Sequence, residues 1–145
     1  MGILMNTDLK LRNQQAIEKA NKLYERLNTV WTKIEESIRA KMVLAPVDYK
    51  FKETDEFSYW IGIHKFDFKW RVCYGVSNKT SSKILWTPVL NCALEIRTLL
   101  LQWVPVLLEQ IVTSNEIATK YLETSVEHAE QLAASFLEES NENNP

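Results

Sequence analysis

The sequence predicts an α+β domain: a long N-terminal helix, a three- to four-stranded antiparallel sheet, and two C-terminal helices packed with the first helix on one sheet face. Three observations carry this reading. From Val47 to Tyr74 large apolar residues alternate with polar ones. Successive strand side chains point to opposite faces, so the alternation marks one buried and one wet face. Before this stretch, and again after it, apolar residues recur at helical spacing.

The first helix is expected to begin near Asn6-Thr7-Asp8, residue types that cap helix N-termini well. Its apolar positions are Ile17, Ala20, Tyr24, Leu27, Trp31, Ile34 and Ile38. Their alternating spacing of three and four is a heptad seam. The helix is expected to end near Met42, before Pro46. At 1.5 Å per residue it would be roughly 50 Å long, about twice an ordinary strand. Part of it must then lie beyond the sheet and find another apolar partner.

The strands are expected near residues 47–52, 57–64, 66–76 and 84–86. Phe57, Tyr59, Ile61 and Ile63 share one parity, as do Phe66, Phe68, Trp70, Val72 and Tyr74. The turn between residues 64 and 67 lacks the Gly or Asn of a tight primed hairpin. Thr87-Pro88 reads as a helix start, with Thr87 as N-cap and Pro88 at the first position. The seam then runs through Leu90, Leu94, Leu101, Val104, Leu108 and Ile111, with Arg97 on it and unexplained. Pro105 should kink this helix. Thr113-Ser114-Asn115-Glu116 matches a capping box, so a further helix is expected there, carrying Ala118, Leu122, Ala129, Leu132 and Phe136. Residues 1–139 form one domain in this reading, and 140–145 a disordered polar tail.

The chain has 145 residues, is 46% hydrophobic and carries a net charge of −2. That is enough apolar material for one core, and the overall charge gives no argument for a polyanionic partner. The charge is unevenly placed: residues 1–115 carry a net +4 and residues 116–145 a net −6. Cys73 and Cys92 form no paired motif, which excludes a disulfide scaffold and favours a reducing, cytoplasmic setting. Residues 1–5 are too short for a signal-peptide apolar region, and the apolar stretch 99–112 is too short to span a bilayer, so no membrane association is expected.

The outward sheet face is the candidate ligand site. It is expected to carry Asp48, Lys50 and Lys52, then Ser58, Trp60, Gly62 and His64, then Asp67, Lys69, Arg71 and Cys73. Trp60 stands where the pattern calls for solvent. With His64, Lys69 and Arg71 it could stack a nucleotide or RNA base while the cations meet phosphate. An ordinary wet face, with Trp60 packed under a loop, requires the same residues. His64, Asp67 and Cys73 would be the elements of a small hydrolase or transferase. The two His and two Cys match no compact zinc spacing, and neither a metal, a cofactor nor a catalytic residue is expected.

The helical seams point elsewhere. Tyr24, Leu27, Trp31 and Ile34 with Leu122, Ala129 and Phe136 are expected to pack helix on helix, within the chain or across a two-fold dimer. The leading expectation is a small cytosolic non-enzymatic binding or regulatory protein that acts through protein contacts, with a protein partner and a homodimeric state. Nucleotide or nucleic-acid binding on the sheet face is the alternative.

Overall fold

The fold follows this outline in a computed structural model that describes residues 2–41 and 43–142. A helix α1 spans Gly2–Ala40. Four strands follow: β1 Val47–Glu53, β2 Phe57–Phe66, β3 Lys69–Asn78 and β4 Ile84–Pro88. A 3-10 turn at Val89–Asn91 leads into α2, Leu94–Leu101, and then α3, Val104–Glu142. The sheet is an antiparallel meander in the order β1-β2-β3-β4.

The core lies between one sheet face and the helices. Ile61, Ile63, Val47 and Val72 from the strands meet Trp31 and Ile38 of α1, Leu100 of α2, and Leu107 and Ile111 of α3. Each such side chain taken out of water contributes about 1.5–3 kcal/mol. Arg97, unexplained by the seam, is a corner piece. Its carbonyl accepts the Trp31 indole N–H at 3.2 Å, and its guanidinium donates to the Asn28 side chain.

Several boundaries differ from the sequence reading. The β2–β3 turn is a two-residue hairpin in which Phe66 pairs with Lys69. Asp67 (φ 51°) and Phe68 (φ 65°) both take left-handed backbone, the type I′ geometry, without any glycine. Phe66 therefore ends β2, and Phe68 is the turn tip, 98% exposed, rather than a strand residue. A left-handed conformation costs a non-glycine residue roughly 1–2 kcal/mol, and Phe68 recovers none of it by burial. Phe68→Gly is thus expected to raise stability by about 1 kcal/mol in urea unfolding. An unchanged or lower midpoint would show that the phenyl ring is held by something other than the hairpin.

Thr87-Pro88 does not start a helix. Both residues pair with β3, Thr87 with Tyr74 and Pro88 with Cys73. β4 is an edge strand, so the missing Pro88 N–H costs no ladder bond. The helix begins at Leu94 instead, with Ala93 as its N-cap. Pro105 falls in the first turn of α3, where its missing donor is tolerated. The chain bends there by 61° between α2 and α3. The capping-box residues Thr113 to Glu116 lie within continuous α3, which runs through Glu142, so residues 140–142 of the expected tail are helical. Met42 and residues 143–145 lie outside the described residues.

α1 and α3 are each 39 residues, roughly 58 Å at 1.5 Å per residue. Only part of each meets the domain body. Asn28 and Trp31 reach Arg97, while Ile38 and Lys41 line a crevice with Leu108, Ile111 and Asn115. Contacts thus run in the same sequence order on both sides. The free part of α1 precedes this contact and the free part of α3 follows it, so two helical arms leave the helix layer at its two ends.

Candidate functional site

The outward face of the sheet is largely tied up by its own residues. β4 lays Trp86 across a trough made by Gly62 and Gly75. A Cβ on Gly62 would sit 2.7 Å from Trp86 Cη2, and one on Gly75 would sit 2.7 Å from Trp86 Cζ3. The glycines are therefore a seat for the indole, and no side chain larger than hydrogen fits beneath it. His64 packs its ring 4.2 Å from Trp86, and its Nε2 lies 2.6 Å from Asp48 Oδ1. Trp60 is half-buried; its Nε1 donates to Ser77 Oγ at 2.9 Å, and Lys50 Nζ stands 5.7 Å from the ring. Trp60, the aromatic that the sequence places on the polar face, thus has local partners.

Arg71 donates to Glu35 Oε2 at 2.7 Å, and Arg39 reaches the same oxygen at 3.5 Å. Arg39 Nε also donates to the Trp70 carbonyl at 3.0 Å. α1 therefore lies along β3 beyond the end of β4, and the arginine expected to face solvent is clamped to a carboxylate that is 1% exposed. Lys69 is exposed at the hairpin base. The strand register brings Trp60, His64 and Arg71 to one face. Lys52 leaves it: the β1–β2 register shifts between Lys50 and Lys52, leaving Phe51 as the extra residue of a β-bulge. Lys50 then sits over Trp60, and Lys52 over Tyr59 on the helix-facing side.

The nucleophile arrangement is not assembled. Cys73 is fully buried, and burial pushes its thiol up to about 12, with the nearby Glu35 carboxylate acting in the same sense. It is a protonated thiol near neutral pH, donating to the Arg71 carbonyl. The partner of His64 is Asp48, while Asp67 is at the hairpin tip. In the acidic turn, Glu53 meets Lys50 and Lys79, each at 3.5 Å, and these two cations lower its carboxyl below the ordinary range. Among the described residues, no group of three or more His, Cys, Asp or Glu is placed to hold a metal ion.

The arms carry the other candidate surface. In α1 every residue from Asn6 to Arg26 is exposed except the half-buried Ala20. In α3 the same is true from Thr119 to Ser140, with Ser125 the exception. The seam residues named by the heptads divide accordingly. Trp31 is core, Leu27 and Ile34 pack against the core, Tyr24 is exposed, and Leu122, Ala129 and Phe136 lie out on the α3 arm. The core spacing of Val104, Leu108 and Ile111 continues outward through Ala118, Leu122, Ser125, Ala129, Leu132 and Phe136 without a change of step. Leu122 is 56% and Phe136 68% exposed. A helix covered by solvent on all sides has no reason to keep an apolar heptad, because its stability comes mainly from packing an apolar face.

Among the described residues, no single helix is long and apolar enough to cross a membrane. Comparison with known proteins returns no matching family model, no similar curated protein and no similar solved structure.

Proposed function

We propose that this chain is a small non-enzymatic binding or regulatory protein that works through protein contacts and associates with itself, and that it does so with its two helical arms. One observation carries the reading: the heptad seams run past the domain body into arms whose large apolar residues, Ile17, Leu122 and Phe136 among them, stand more than half exposed. The sheet domain serves as a rigid holder. Its outward polar groups are spent on Glu35–Arg71, His64–Asp48 and Trp60–Ser77, which supports a structural role for that face. Two free cysteines, one fully buried, suit a reducing, cytoplasmic compartment.

Light scattering on the purified protein tests this. The wild type is expected well above its 16.9 kDa chain mass. Leu122→Asp/Phe136→Asp should fall to the single-chain mass with the thermal unfolding of the sheet domain retained, since both positions are exposed within the chain. A wild type at 16.9 kDa with nothing bound would overturn the proposal.

A further inference from the structure

We infer that the α3 arm seats on the α1 arm of a second copy of this chain, so that unlike arms pair across the assembly. The inference rests on the self-association proposed above and assigns its geometry.

Charge decides between the possible pairings. Residues 6–30 of α1 carry five Lys or Arg against three Asp or Glu, a net of +2. Residues 116–142 of α3 carry one Lys against seven Glu, a net of −6. Pairing two α3 arms would bring two strongly acidic helices together, and pairing two α1 arms would bring two basic ones together. Pairing α1 with α3 sets a net-basic helix beside a strongly acidic one. The charges lie on the faces away from the seams, whose flanks (Ala16, Asn21 and Leu23; Tyr121, Val126 and His128) are uncharged, so the selection acts through the field of each whole arm.

Length and placement agree. The exposed stretch of α1 and that of α3 are each close to 20 residues, or about three heptads. Each arm keeps one apolar seam, with Ile17 and Tyr24 on α1 and Leu122 and Leu132 on α3. Because the arms leave the helix layer at its two ends, one copy cannot fold its own α3 arm onto its own α1 arm. A second copy supplies what the first lacks, and the exchange is reciprocal.

Charge reversal tests the pairing. One variant carries Glu116→Lys, Glu123→Lys, Glu127→Lys, Glu130→Lys and Glu138→Lys, which makes its α3 arm basic like its α1 arm. The other carries Lys19→Glu, Lys22→Glu and Arg26→Glu, which makes its α1 arm acidic like its α3 arm. All eight positions are exposed, so circular dichroism should report the wild-type fold. At low salt each variant alone is expected to associate at least tenfold more weakly than wild type, and an equimolar mixture should restore a complex holding one of each. If the α3-reversed variant alone assembles like wild type, α1 arms pair with α1 arms and the inference falls. If the α1-reversed variant alone does so, α3 arms pair together and it also falls. A monomeric wild type would instead remove the self-association on which the inference stands.

Discussion

Arg71→Met should lower stability by up to about 3–5 kcal/mol, the cost of breaking a buried pair, because it leaves the Glu35 carboxylate only its longer contact to Arg39. Glu35 sits on the inner side of α1 at 1% exposure, and one carboxylate oxygen takes both Arg71 and Arg39. The other, Oε1, has no donor among the described residues. The site is therefore already short of hydrogen bonds and tolerates no further loss. Arg71 differs: its side chain is 24% exposed, so it can rehydrate when Glu35 is removed. Glu35→Leu should accordingly cost much less than Arg71→Met, and Glu35→Leu/Arg71→Met should recover most of the loss. Urea unfolding of the three variants checks the order. Equal losses for the two single variants would mean that the carboxylate is hydrated, and the buried-charge account would fail.

Gly75→Val is the second large effect, expected at about 2–3 kcal/mol through overpacking. Its first added carbon would lie 2.7 Å from Ile84 Cγ2 and 2.7 Å from Trp86 Cζ3. Gly75 also pairs directly with Trp86 across β3 and β4, so neither backbone can retreat without breaking the edge of the sheet. Trp86 must lift off, taking with it the His64 ring contact. In a Trp86→Leu background the same valine should cost clearly less, because the obstructing ring is gone. If Gly75→Val unfolds at the wild-type urea midpoint, the indole is not seated in the glycine trough.

The two variants probe the parts of the molecule that local sequence showed least. Alternation at Tyr59, Ile61 and Ile63, and at Val72 and Tyr74, placed β2 and β3, because a half-buried strand imposes a period of two on its residues. Heptad spacing placed α1 and the apolar seam of α3, and exposed the excess length of α1 over the sheet; that α3 runs unbroken from Val104 to Glu142 was not legible there. Cap and turn signals were weaker guides. Thr87-Pro88 is a sound helix start in isolation, yet strand pairing with Tyr74 and Cys73 outweighs it. Thr113 to Glu116 could begin a helix, but a helix already running past them makes the cap redundant. At Asp67-Phe68 the meander demands a tight turn whatever residues occupy it.

The candidate site divides in the same way. That Trp60, His64 and Arg71 share a face follows from parity alone. What each of them does there depends on neighbours remote in the chain: Ser77, Asp48 and Trp86, and Glu35 on the far side of the sheet edge. No spacing rule reaches such partners, because each contact is set by strand register or by where α1 crosses β3. The arms were determined by sequence periodicity, which is a property of one helix. That they leave the body at opposite ends was decided only when the tertiary packing fixed which heptads the core consumes.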